Sequence, residues 1–337
     1  MSLLDSAIPI VAAPMAGGPT TVALSIAVHG SGGFPFLAAG YKSVEALAEE
    51  IRQVRSVGGF GVNLFVPSAT TITAEEYRRY RAELQAEADA LGAELPLIPR
   101  SDDDDWDAKI DLLVASPVPA VSFTFGLPSH ADLARLKKAG TTVFASVTTP
   151  DEARAAYDLG ADALVVQGAS AGGHSATFDP QRTIEETSTA ELVRAVRSVT
   201  PLPIVAAGGV DGPSAVRALL ESGAEAVAVG TLLLRTDEAG TSRTHRDALA
   251  DPAFSETVLT HAFTGRTARG LRNGFIDRHE ALAPFGYPEI HHLTRPLRQA
   301  ASQAGDPGRL HLWAGTGYTS APDGPATGVI RWLTDAV

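Results

Sequence analysis

Eight short apolar runs, spread over the first two-thirds of the chain with helix-forming segments between them, constrain this sequence most. They are Ile8–Ala13, Phe34–Ala39, Phe60–Phe65, Ala120–Phe125, Thr142–Val147, Ala163–Gln167, Pro203–Ala207 and Ala226–Val229. All are of strand length, and β-branched residues recur in them. Near-continuous apolar character, rather than alternation, marks strands buried on both faces, as in a parallel sheet covered by helices. The segments between carry helix starts: Thr149-Pro150-Asp151-Glu152, Ser188-Thr189-Ala190-Glu191 and Thr73-Ala74-Glu75-Glu76 read as capping boxes. Helix stops recur in Leu159-Gly160-Ala161 and Ser222-Gly223-Ala224, each just before a strand. Strict β-α alternation over eight strands predicts an α/β fold, a (β/α)8 TIM barrel, over an open doubly wound sheet.

Two steps between strands are longer than the rest. Phe60 to Ala120 includes an amphipathic helix (about 73–91), an acidic turn at Asp102–Asp105 and a helix at about 106–115. Ala163 to Pro203 includes a loop with Gly172-Gly173-His174. Long insertions in a barrel belong at the C-terminal strand ends, where function sits. The tail from Pro252 to Val337 shows helical and loop character. The expected division is a barrel of 1–72 and 116–251, with a small helical covering domain of 73–115 and 252–337.

Composition removes several classes of function. The 337 residues contain no cysteine, which excludes disulfides, thiolate zinc, iron–sulfur clusters and thiol nucleophiles. A net charge of −12 without a basic cluster argues against nucleic acid. No apolar stretch reaches the ~20 residues of a membrane span. Met1–Asp5 lacks the basic start of a signal peptide, so a cytoplasmic enzyme is expected. A homo-oligomer is left open.

Polar and glycine residues at the strand ends carry the chemistry. The seventh and eighth strands close in Gly208-Gly209 and in Ala228-Val229-Gly230-Thr231. Barrels bind phosphate with the backbone of these loops, and Thr231 offers a hydroxyl donor. The plainer alternative is that these glycines only permit tight turns. Gln167 ends the sixth strand, where an amide that donates and accepts suits the pyrimidine edge of a flavin. His174, held in a loop, can exchange a proton near neutral pH; solvent exposure is its plainer alternative. Ala13-Pro14-Met15 ends the first strand with small residues against which a flat ring can lie. Asn63 puts an amide in an apolar strand, where a ligand or a neighbouring group must satisfy it. No metal site is expected: Glu289-Ile290-His291-His292 reads as surface, and Asp102–Asp105 as a solvated turn or helix start. Trp313, Tyr318 and Trp332 read as packing in the cover, the first two also as candidates to line the substrate cavity.

On Ala13-Pro14-Met15-Ala16-Gly17-Gly18, Gly61-Val62-Asn63-Leu64-Phe65, Gln167-Gly168 with Ala171-Gly172-Gly173-His174, Ala207-Gly208-Gly209 and Val229-Gly230-Thr231, the chain resembles the nitronate monooxygenases, formerly 2-nitropropane dioxygenases. Thr264-Gly265-Arg266 and Ala268–Asn273 resemble the family's tail. The resemblance implies an FMN-binding barrel that oxidises nitronates, and neutral nitroalkanes, with O2 to a carbonyl compound and nitrite, without NAD(P)H. It implies FMN contacts from Asn63, Gln167, Gly172, Gly209 and Ala228–Thr231, and His174 as the base that removes an α-proton. Ala228-Val229, where the family often has Gln-Met, and Thr316, where it often has Gln, depart from the pattern. Two alternatives stand: an FMN- and NAD(P)H-dependent enoyl-thioester reductase, which shares the Ala-Gly-Gly-His loop, and a flavin-free phosphate-binding barrel.

Overall fold

The computed structural model describes residues 4, 6–67 and 72–335. Most of Met1–Asp5 and the outermost ends of the expected domain spans lie outside these residues. The strands are β1 (Ile10–Ala12), β2 (Phe34–Ala38), β3 (Gly61–Phe65), β4 (Ala120–Thr124), β5 (Thr142–Val147), β6 (Ala163–Gln167), β7 (Gly173–His174), β8 (Ile204–Ala207), β9 (Ala226–Val229), β10 (Thr257–Thr260) and β11 (Ala268–Leu271). The helices are α1 (Val22–Gly30), α2 (Val44–Arg55), α3 (Ala74–Glu83), α4 (Gln85–Leu91), α5 (Trp106–Ala115), α6 (His130–Lys138), α7 (Pro150–Leu159), α8 (Thr189–Arg197), α9 (Pro213–Glu221), α10 (Arg243–Ala250), α11 (Gly274–His279), α12 (Glu289–Ala304) and α13 (Ala326–Thr334).

The eight expected runs supply a closed parallel barrel in the order β1-β2-β3-β4-β5-β6-β8-β9. Closure is made by β1 against β9, with Ile10 opposite Val227. The barrel interior is packed by Val11, Phe34, Phe36, Phe144 and Val205, and Phe36 meets Phe34 and Phe144 edge to face. Burying each such large apolar side chain contributes roughly 1.5–3 kcal/mol. Ser188 and Thr73 complete the expected capping boxes, whereas the one at Thr149 forms only in half: Thr149 accepts from Glu152 N at 3.1 Å, but the Glu152 carboxylate accepts from Thr148 N (2.6 Å) instead. Gly160 ends α7 in the left-handed conformation (φ +96°).

Two helices expected in the cover belong to the outer ring. Helix α5 packs against α2 and α6, and α13 packs against α1 and α9, where Trp332 joins the barrel core. Thus the chain's last described helix flanks the first and closes the ring. A short antiparallel sheet, β10-β11-β7, stands where only helix and loop were expected. Its strands have few residues and an Arg and a Gly at the centre of β11, so pairing, not apolar patterning, sustains them. The cover has its own core from α3, α4, α11 and α12, including Tyr77, Tyr80, Phe263, Phe275 and Leu293. Among the described residues, no helix is long and apolar enough to cross a membrane.

Candidate active site

A cavity of about 610 Å³ opens at the C-terminal end of the barrel, between the strand ends and the cover. Ala13, Pro14, Met15, Asn63, Gln167, Gly172, Gly173, Gly208, Gly209, Ala228, Val229, Gly230 and Thr231 all line it, as does His174. Barrel closure brings these scattered positions together.

The floor is mostly backbone. Gly208 and Gly209 have positive φ (+111° and +77°), and a Cβ on Gly208 would lie 2.9 Å from Ala171 N. At Gly172 a Cβ would lie 2.5 Å from Gly315 N, so the Trp313–Gly315 segment demands glycine there. Thr231 Oγ1 accepts from Gly315 N at 2.9 Å, which leaves its own proton free to donate. The Gln167 amide pins the next loop: Nε2 donates to His174 O (3.1 Å), and Oε1 accepts from Ala176 N (2.7 Å). Asn63 Nδ2 is met locally, by Ser122 O and Oγ and by Thr124 Oγ1 at 2.9–3.2 Å. Its amide is therefore satisfied on that side by a neighbouring strand rather than by a ligand.

The roof is made of rings and guanidinium groups. His174 does not lie in a solvated loop but on β7, with Ala268 opposite it in the ladder. Its ring is surrounded by Phe125, Tyr287 and Trp313 at 5.6–5.7 Å. Nε2 lies 2.9 Å from Thr264 Oγ1, and Thr264 directs its hydroxyl proton to Arg266 O. Nε2 therefore carries the ring hydrogen, leaving the lone pair on Nδ1. Burial, then the charges of Arg266 and Arg298, push His174 down to about 3. Arg266 is fully buried, donates to Thr177 O, sits over Phe125 and leaves Nε and Nη1 unpartnered. Arg298 donates to Thr294 Oγ1, His311 Nε2 and His291. Burial lowers both guanidinium groups to about 10. Among the described residues, neither forms an ion pair.

Tyr41, Thr264, Arg266, Tyr287, His291, Arg298 and His311 were not singled out from sequence as site residues. A signal existed in α12: His291, Thr294 and Arg298 share the buried face of an amphipathic helix, at helical spacing. His291 is thus not at the surface; it is 5% exposed, stacks on Tyr41 at 4.1 Å and lines the cavity. Nor is the acidic turn merely solvated, because Asp104 accepts from Tyr41 N (2.9 Å) and pairs with the buried Lys109 (2.9 Å). Trp313 lines the cavity, whereas Tyr318 is buried beside it with Oη on Phe254 O. Among the described residues, no cluster of three or more His, Asp or Glu is placed to hold a metal.

A family model described as nitronate monooxygenase matches residues 2–335. A probable nitronate monooxygenase of Staphylococcus aureus (strain Newman) is 36% identical, over 99% of this chain and 96% of its own. The crystal structure of a nitroalkane oxidase from Streptomyces ansochromogenes superposes with a TM-score of 0.92 at 42% identity, covering 98% of this chain and 95% of that one. FabK from Thermotoga maritima, at 24% identity and a TM-score of 0.76 over 99% and 94% of the two chains, shares the fold. The chain belongs to the nitronate monooxygenase family.

Proposed function

We propose that this chain is an FMN-dependent oxidoreductase that oxidises alkyl nitronates, and neutral nitroalkanes, with O2 to a carbonyl compound and nitrite. The family and the nitroalkane oxidase likeness support an oxidoreductase acting on nitro compounds. The observation that carries the finer reading is electrostatic. A neutral, half-buried imidazole stands beside two buried guanidinium groups that make no ion pair among the described residues, with Glu152 and Asp179 acting on Arg266 only through their charge. Such a cavity favours an anion, and a nitronate is one.

For a neutral nitroalkane, Nδ1 of His174 takes the α-proton while Thr264 holds Nε2. The field of Arg266 and Arg298, which opposes an imidazolium in the free protein, then stabilises the nitronate formed. A nitronate supplied as such needs no base. Bound FMN would supply the two-electron acceptor for the oxidation. The floor fits that group. Its glycine loops after β8 and β9, with Thr231, suit the phosphate without a basic side chain, and Ala13–Met15, Asn63, Gln167 and Gly172–Gly173 suit a flat ring. On this reading the barrel binds the cofactor, and α3, α4 and α10–α12 with the β10-β11-β7 sheet cover the substrate.

FMN-loaded protein given propyl-2-nitronate should take up O2 and release nitrite with no NADPH present. O2 uptake or product formation that requires NADPH would sink the proposal in favour of a reductase.

A further inference from the structure

Around His311, the same cavity contains a cluster of buried polar atoms with nothing to bond. Thr241 Oγ1, His245 Nε2 and His311 Nδ1 are buried without a partner, and all three residues line the cavity. Thr241 and His245 are 8% and 7% exposed. They flank the start of α10, where Ser242 is the cap. His311 lies just beyond the short 3-10 turn at Pro307–Arg309 and faces Trp313, with ring centroids 5.4 Å apart. Trp313 in turn lies 5.6 Å from His174, so one indole separates the cluster from the proposed base.

The hydrogen-bonding sense of these atoms is fixed by their neighbours. Arg298 can only donate, so His311 Nε2, at 3.3 Å from Nη1, accepts, and Nδ1 carries the hydrogen. The Trp313 backbone beside His245 favours that ring's protonated form, as a carbonyl facing an N–H does. The hydrogen then sits on Nδ1, and the unpartnered Nε2 is an acceptor. Burial lowers both rings below their ordinary value, so both are neutral. The cluster thus offers one fixed donor, one fixed acceptor and a hydroxyl of either sense.

We propose that Thr241, His245 and His311 form a subsite for a hydroxyl group carried by the nitro substrate several carbons from the reacting centre. An alcohol donates to His245 Nε2 while it accepts from His311 Nδ1–H. A carboxylate cannot, because it would set a lone pair against His245 Nε2. An apolar tail would leave all three groups unsatisfied, at a cost in affinity. The inference rests on the nitro-compound oxidase reading above.

The test compares 1-nitropentane with 5-nitropentan-1-ol on the FMN-loaded enzyme, in the wild type and in Thr241→Val and His245→Leu. The expected result is a kcat/KM about tenfold higher for the alcohol in the wild type, as one or two new hydrogen bonds provide. In each variant that ratio should fall towards one. Equal efficiencies in the wild type would overturn the subsite, leaving ordered water as its occupant. Oxidation of neither compound would overturn the oxidase reading instead. Flavin content, measured on the same preparations, separates the remaining source of hydroxyl groups. Loss of FMN from Thr241→Val, which preserves shape, would assign the cluster to the cofactor and overturn the proposal.

Discussion

The floor of the cavity offers backbone and small residues: glycines after β8 and β9, and Ala13–Met15 after β1. The roof offers His174, Trp313, Tyr41 stacked on His291, and Arg298 bridging two imidazoles. A backbone floor suits an invariant ligand, whose phosphate and flat ring need close approach and N–H donors. A roof of side chains carries charge, proton exchange and hydrogen-bonding sense, and it rests on a separate core. Its chemistry can therefore change without disturbing the barrel. The comparison makes distinct demands on substitutions: roof changes should alter turnover and substrate choice, and floor changes should alter cofactor retention.

His174→Ala should have the largest effect. Loss of a general base costs about 10²–10⁴ in kcat/KM for neutral nitroalkanes, while nitronates, already deprotonated, should lose at most about tenfold. Steady-state kinetics on both forms of one nitroalkane measure this; equal losses would remove the base role. Next is Gly209→Asp, on the floor, which sets a carboxylate towards the proposed phosphate. FMN affinity should fall by about a hundredfold or more, given a few kcal/mol between close like charges. Flavin titration that finds undiminished affinity would break the assignment of floor to cofactor.

Arg298→Met should raise KM for a nitronate by about tenfold, the worth of one hydrogen bond or contact from a charged group. It should also move the acid limb of kcat/KM for a neutral nitroalkane upward from about 3, because Arg298 helps to hold His174 down. An unmoved limb would separate Arg298 from the base. The smallest effect concerns stability. His174 and His245 are lowered to about 3 and about 4 from their ordinary 6.5, so between these limits the unfolded chain binds more protons than the folded one. Their contribution is complete above about pH 6.5 and is lost as pH falls, about 5 kcal/mol for His174 and about 3 kcal/mol for His245 once pH is below both folded values. Thermal melts between pH 7 and 4.5 should thus show Tm falling by several degrees. Glu87 stays out of this window: burial raises its carboxyl, but bonds from Arg278, His279 and Arg309 outweigh that and hold it at about 2. A flat Tm would contradict the neutral, buried roof.

The barrel was legible because each strand announces itself locally, through an apolar run and a capped helix after it. The floor was legible for the same reason: once Gln167, Gly208 and Gly230 end parallel strands, barrel closure must bring them to one mouth. Position in the ring was less legible. Nothing local in α13 shows that it packs beside α1, and α5 reads as part of an insertion until α2 and α6 flank it. The roof was the least legible, since Thr264 acquires meaning only through the β7–β11 ladder, and Arg298 only through the turn of α12. Its periodicity carried the available signal, polar residues at core spacing.

The most direct measurement is the visible spectrum of the FMN-loaded protein without oxygen, before and after propyl-2-nitronate and, separately, NADPH. The result expected is loss of the flavin band with the nitronate alone and no change with NADPH. A band that only NADPH removes would contradict the nitronate oxidase reading and point to the reductase.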